Sequence, residues 1–262
     1  MVEISFVQLL IGLLLVLVPA VILYYYQTGL VRALLVSVVR MVLQLFLVGV
    51  YLKYLFEWNN TWVNIAWLLI MTFVCAFTLL KRVDLPVWRL FIPIYLSILF
   101  ALVIIAVYFL KGVLQIEYLF ESRYFIPICG ILLGNILSTN VVGLNALYDG
   151  LFNGSQYYHY LLCNGAKIEE ALKPFFQKAL IKASNPTIAS MAVMGLISLP
   201  GTLIGQILGG SPPGVAIRYQ IMIMVIIASS SLISLFLCMR WSVKSVLNEY
   251  GCVKADFNKR IK

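Results

Sequence analysis

Seven stretches of this chain run for about twenty residues with few charged side chains. A stretch of that kind has one common solvent, the hydrocarbon core of a bilayer, which a helix rising about 1.5 Å per residue crosses in about 20 residues. The stretches are 4–26, 33–56, 62–80, 90–110, 124–147, 187–209 and 216–239. Their apolar character is continuous rather than alternating, which selects helices over a β-barrel. Soluble domains carry about 25% charged residues. Here the figure is 11%, against 63% hydrophobic, so no separate soluble domain is expected. The fold class is therefore all-α: a polytopic integral membrane protein of about seven transmembrane helices. A single transmembrane domain is expected over 1–262, with a loop at 148–186 and a basic tail at 240–262. The first stretch is preceded by Glu3 and by no Lys or Arg, and reads as a retained span rather than a signal peptide.

Positive charge predicts the orientation, because cytoplasmic loops carry an excess of Lys and Arg. With the N-terminus outside, Arg32, Arg40, Lys81, Arg82, Arg89, Lys167, Lys173, Lys178, Lys182, Arg240, Lys244, Lys254, Lys259, Arg260 and Lys262 fall on the cytoplasmic side. Lys53, Lys111, Arg123 and Arg218 fall outside, a split of 15 to 4. The C-terminus is then cytoplasmic. The net charge of +9 is sorted by membrane side instead of forming a nucleic-acid surface, so the expected partner is the lipid bilayer and no nucleic acid. The expected location is multi-pass in the cell's inner or plasma membrane.

Three polar features stand out on this apolar background. Arg40 and Gln44 lie one helical turn apart in the second span, where an Arg must find water, headgroups or a partner. The fifth span carries Asn135, Ser138, Thr139, Asn140 and Asn145, with Asn135 and Thr139 on one face and Gly130 and Gly134 forming a GxxxG pair beside them. In the sixth span, Pro200 and Gly201 predict a broken or hinged helix, tolerated at membrane depth where protein or water satisfies the freed carbonyls. Ser198, Thr202 and Gln206 form a polar stripe on it, next to a stripe of Gly201, Gly205 and Gly209. These polar residues serve either as packing glue between helices or as the lining of a path. Between the fifth and sixth spans, Asn164 or Gly165 is expected to cap a short helix with Glu169 and Glu170 in its first turn. Phe175, Phe176, Ala179 and Leu180 alternate with Lys178 and Lys182, the pattern of an interfacial or docking helix.

Absent motifs narrow the class. No G-x-x-x-x-G-K-[ST] is present to cradle nucleotide phosphates, and the single histidine, His159, cannot supply an H-E-x-x-H metal site. Carboxylates are missing from the span interiors, which argues against a carrier driven by protons or sodium on buried acids. The cysteines at 75, 129, 163, 238 and 252 are odd in number and widely spaced, and read as small apolar filler. No catalytic residue is expected, and the chain is not read as an enzyme.

At these residues the chain resembles the FetB-type (YbbM-like) permeases, membrane subunits of an iron-export ABC transporter family with plant relatives linked to aluminium tolerance. The likeness is densest over 165–221, in Gly165-Ala166, Pro186-Thr187, the GLISLPG run at 195–201 and the AIRYQI run at 216–221. Arg40, Gln44, Val48-Gly49, Lys81-Arg82, Pro127, Gly130 and Gly134-Asn135 agree as well. The resemblance implies a permease without its own ATPase site, paired with a separate ABC ATPase subunit that carries ATP and magnesium, and working as a permease homodimer. It implies that Gly165, Ala166, Lys167, Glu169, Glu170 and Lys173 form the ATPase-coupling segment. Asn135, Thr139, Ser198, Pro200, Gly201, Thr202, Gln206 and Gln220 would line the gate and path, with Arg40 and Gln44 as an intramembrane polar pair. Export of a metal ion, iron by analogy, is the leading expectation, with an organic solute such as a nucleotide sugar, or a stand-alone secondary carrier, as rivals. Some relatives carry Asp and Lys where Ala189 and Ala192 stand, and Pro-Gly-Met-Met where this chain has Pro200-Gly201-Thr202-Leu203. Metal-binding residues are accordingly unassigned.

Overall fold

A computed structural model describes residues 5–248 and Gly251. The expectations for Cys252 and for the tail lysines and arginine at 254, 259, 260 and 262 lie outside the described residues. The described chain forms two compact units, one ending at Asn59 and the other beginning at Asn60.

The first unit holds α1 (Phe6–Leu14), α2 (Leu17–Tyr25) and α3 (Val31–Trp58). α1 and α2 occupy the first expected span, interrupted at Leu15 and Val16. Pro19 has no N–H to return to Leu15, and the chain there tightens into i→i−3 bonds from Leu15 to Gly12 and from Val16 to Leu13. Gln27 and Gly29 both take positive φ in the turn before α3. Thr28 stitches this turn, its hydroxyl donating to the Leu23 carbonyl at 3.1 Å and accepting from the Leu30 N–H at 3.3 Å.

The second unit holds α4 (Thr61–Val83), α5 (Val87–Val107), α6 (Ser122–Asn153), α7 (Ser155–Cys163), α8 (Ile168–Val193), α9 (Gly201–Leu208) and α10 (Pro213–Val246). α5 runs on as a π-helical turn, Tyr108–Val113. α10 packs on α5 and α6, α6 on α4 and α8, and α4 on α5. Their shared seam is aliphatic, with Leu79, Leu80, Leu90, Ile98, Leu132, Ile136, Leu144, Leu147 and Leu235 all fully buried. α10 comes close to α6 at Gly143, where a Cβ would overlap the Leu235 methyls. The expected GxxxG pair makes no such approach: Gly134 is exposed with open space beside it, and Gly130 faces only the Met71 methyl at 3.6 Å.

Six helices among the described residues are long and apolar enough to span a bilayer: Phe6–Tyr25, Val31–Trp58, Thr61–Val83, Val87–Val113, Ser122–Asn153 and Pro213–Val246. The sixth expected span, 187–209, is not one helix. α8 ends at Val193, and residues 194–200 leave helical geometry, with the Gly195 N–H bonding back to Ser198 O at 2.9 Å. Pro200 then serves as the N-terminal cap of α9. The reason is local: Gly195 sits at φ +84, and proline, which lacks an N–H, is placed at a helix start. The break read from Pro200 and Gly201 is therefore a gap between two helices rather than a kink within one.

The expected loop at 148–186 is mostly helical. α6 continues to Asn153 because Tyr148 and Leu151 remain buried, and α8 begins at Ile168 because Ala171, Leu172, Phe175 and Ala179 form a buried stripe. The cap expected at Asn164 or Gly165 is displaced to Lys167, whose N–H donates to Glu170 Oε2 at 2.9 Å. Gly165, at φ +86, instead closes α7, a left-handed position that suits glycine.

Candidate functional site

The helix directions define two ends of the second unit. One carries α7, the start of α8 and the C-terminus of α10; the other carries α9, the start of α6 and the start of α10. Sequence placed functional residues at both, and the structure gathers them into separate features.

At the α9 end, Thr202 donates to Gln220 Oε1 at 2.6 Å, tying α9 to α10. Gln220 is 5% exposed, so an apolar surround makes this bond the main outlet for its carbonyl. Beside it opens a cleft of about 530 Å³, lined in part by Phe109, Arg123, Tyr124, Thr202, Gln206, Ser211 and Tyr219. Its polar groups are one guanidinium, an amide and several hydroxyls, with no carboxylate, thiol or imidazole. Pro200 and Gly201 position Thr202 by starting α9. Ser198 lies in the non-helical link and is exposed, so the expected stripe keeps only Thr202 and Gln206 together.

Asn135 and Thr139 do not join that cleft. Asn135 donates back to Ile131 O of its own helix at 2.9 Å. Thr139 faces a cavity of about 30 Å³ between α6, α8 and α10, shared with Ser184, Thr187 and Ser231, space for about one water molecule. Next to it Asn140 is fully buried and donates to Ile136 O at 2.8 Å and to Ser234 Oγ at 3.0 Å. A second buried amide, Asn64, joins α4 to the start of α6 through Phe120 O at 2.8 Å and Ser122 Oγ at 2.9 Å. Sequence reading missed the Asn64 and Ser234 contacts: each lone polar residue was visible, and its partner lay 58 or 94 positions away.

At the α7 end, Gly165 is exposed with open space where a Cβ would be, Ala166 is half-buried, and Lys167 begins α8. Glu170 is held by the Lys167 N–H, and Glu169 pairs with Arg240 of α10 at 3.2 Å. Lys173 lies one turn further, in the groove between α8 and α10. α7 itself, which sequence reading did not separate from the loop, is braced from below. Tyr158 is buried, donates to Gly251 O at 3.0 Å, and meets the Phe175 ring edge-on with centroids 6.2 Å apart.

Arg40 and Gln44 belong to the first unit, where both line a shallow cleft with Leu35, Val36, Val39 and Leu43, confirming that they share one helix face. Among the described residues no group of three or more His, Cys, Asp or Glu could hold a metal ion.

A bundle of apolar membrane-length helices with a discontinuous helix at its side defines a multi-pass membrane protein. The chain belongs to the uncharacterised protein family UPF0014, whose profile matches residues 6–247. It is 32% identical over 249 residues to the protein ALUMINUM SENSITIVE 3 of Arabidopsis thaliana, covering 94% of this chain and 85% of that one. It is 30% identical over 233 residues to a protein of Escherichia coli K12 named as a probable iron export permease, FetB, covering 88% of each. A UPF0014 membrane protein of Synechocystis is 31% identical over 195 residues, covering 74% of this chain and 75% of that one. No solved structure matches the chain.

Proposed function

We propose that this chain is the permease subunit of an ATP-driven transporter, moved by a separate ATPase subunit that holds ATP and magnesium. Two permease copies would form the gate, with the N-terminus outside and the C-terminus in the cytoplasm. The observation that carries this reading is the α7 end. A short helix and an exposed turn, Gly165–Lys167, stand at the junction of two long helices, and Tyr158 and Phe175 brace them from within. A push on that turn would travel along α8 to the break at residues 194–200 and to the Thr202–Gln220 bond.

Metal export is the leading cargo, because the E. coli relative is named for iron. A path through this chain would offer a metal neutral oxygens rather than carboxylates, since the cleft beside Thr202 holds hydroxyls and an amide. The same cleft supports a second reading. Arg123 with those hydroxyls suits an organic anion that brings its own negative charge. Reconstituting the permease with its co-purifying ATPase and measuring ATP hydrolysis against ferrous iron, other metals and a nucleotide sugar tests both. Stimulation by metals supports the first and by the sugar the second. Solute movement by the chain alone, without ATP, overturns the coupling proposal.

A further inference from the structure

Three helices begin around the cleft beside Thr202. Arg123 and Tyr124 lie in the first turn of α6, Thr202 in the first turn of α9 and Val215 in the first turn of α10, and all four line it. Each helix start carries the positive end of a backbone dipole, so the cleft favours negative charge before any side chain is counted. Arg123 adds a full positive charge. The polar side chains are also unengaged, apart from Thr202, which donates to Gln220. Arg123, Tyr124, Gln206, Ser211 and Tyr219 make no side-chain hydrogen bond or ion pair among the described residues. Arg123 does not pair even with Glu121, two positions before it.

Donors therefore converge on a space that holds no carboxylate to accept from them. The wall between them is apolar, with Phe109, Ile131 and Ile223, which strengthens any charge-assisted bond formed there. A volume of about 530 Å³ suits a small-molecule ligand. A bare metal cation would meet like charge and no anionic group. A compact anion rich in carboxylate oxygens would meet a guanidinium fork and several neutral donors at once. We infer that the solute taken by this cleft is a metal enclosed in an anionic oxygen chelate, a polycarboxylate complex of net negative charge, with Arg123 on a carboxylate and Gln206, Ser211 and Tyr219 on its outer oxygens. The metal's ligands then travel with it, and the protein recognises the ligands. This also accounts for a metal permease whose described residues include no group of three or more His, Cys, Asp or Glu able to hold a metal ion. The inference rests on metal as the cargo and stands apart from the coupling to an ATPase.

Equilibrium dialysis of the detergent-purified permease, with no ATPase present, against ferric citrate, citrate alone and ferrous sulfate tests it. The wild type should hold ferric citrate more tightly than either component, because the complex presents its oxygens in a fixed array that free citrate must be ordered to reach. Arg123→Gln should weaken that binding about tenfold or more, the loss of one charge-assisted pair, and Arg123→Lys should recover part of it. Arg123 is exposed, so the variant should fold; if it does not, Ser211→Ala should by itself weaken binding about threefold. Ferrous ion or citrate bound as tightly as the complex overturns the assignment, as does undiminished binding in the variants. Displacement of the complex by phosphatidylglycerol overturns it too, since that result gives the cleft to a lipid headgroup. ATP hydrolysis driven by ferrous ion alone in the reconstituted complex would keep the permease proposal and sink the chelate. Solute movement without ATP would do the reverse.

Discussion

The hydroxyl of Thr202 and the side-chain carbonyl of Gln220 lie 2.6 Å apart, and they join α9, which follows the break after α8, to α10. Gln220 is almost fully buried, so its carbonyl has few routes to water once this donor is removed. Thr202→Val keeps the shape and deletes the hydroxyl. The expected result is a loss of about 1–3 kcal/mol, the penalty of an unmet buried carbonyl. Thermal unfolding in detergent measures it, and an unchanged midpoint would mean that the amide has another partner.

Gly143 of α6 lies directly against the Leu235 side chain of α10. Gly143→Ala forces overlap with the Leu235 methyls and should destabilise the bundle by about 1–3 kcal/mol. Leu235→Ala in the same chain makes room, so the double variant should lose less than the two single losses added together. Additive losses would show that the helices simply move apart.

Asn140 and Ser234 bridge the same two helices at 3.0 Å inside the bundle. Polar pairs between membrane helices average about 0.6 kcal/mol in double-mutant cycles. The cycle Asn140→Leu, Ser234→Ala should return a coupling of that order. A value above about 2 kcal/mol would point to a larger network centred on these residues.

Gly165 sits at φ +86 with open space around it, so a side chain there strains the backbone without striking a neighbour. Gly165→Glu should leave membrane insertion intact and cost about 1–2 kcal/mol locally. By the coupling proposal it should also abolish ATPase stimulation in the reconstituted complex. Failure to insert would make the turn a folding element instead.

The long helices were legible because a run of twenty apolar residues states its own length and solvent, whatever it packs against. The break near Pro200 was legible too, from proline and glycine chemistry, although its form as a gap between α8 and α9 depended on Gly195 taking a positive φ. In the stretch from 148 to 186 a short helix starting near Glu169 and Glu170 was legible, but not the extension of α6 to Asn153, the separate α7 or the full length of α8. Its lysines, glutamates and asparagines mask a buried stripe of Ala171, Leu172, Phe175 and Ala179 that shows only once α6 lies alongside. The candidate site divides in the same way. Thr202 and Gln206 were visible as neighbours on one helix, whereas the Thr202–Gln220 bond and the Arg240–Glu169 pair join residues 18 and 71 apart, and no local period encodes such separations. Spacing permits a close approach without requiring one: within this chain Gly134 has open space beside it, whereas Gly143 meets Leu235.

α6 has 32 residues, about 48 Å of rod at about 1.5 Å per residue. Leaning by as much as about 40°, the steep limit for such rods, it still projects about 37 Å against a slab of about 30 Å. Its apolar sequence ends near Leu147, so the overhang falls at the Asn153 end and carries α7 past the edge of the hydrocarbon, like a pier above the tide line. A water-borne protein could therefore reach that helix without entering the hydrocarbon.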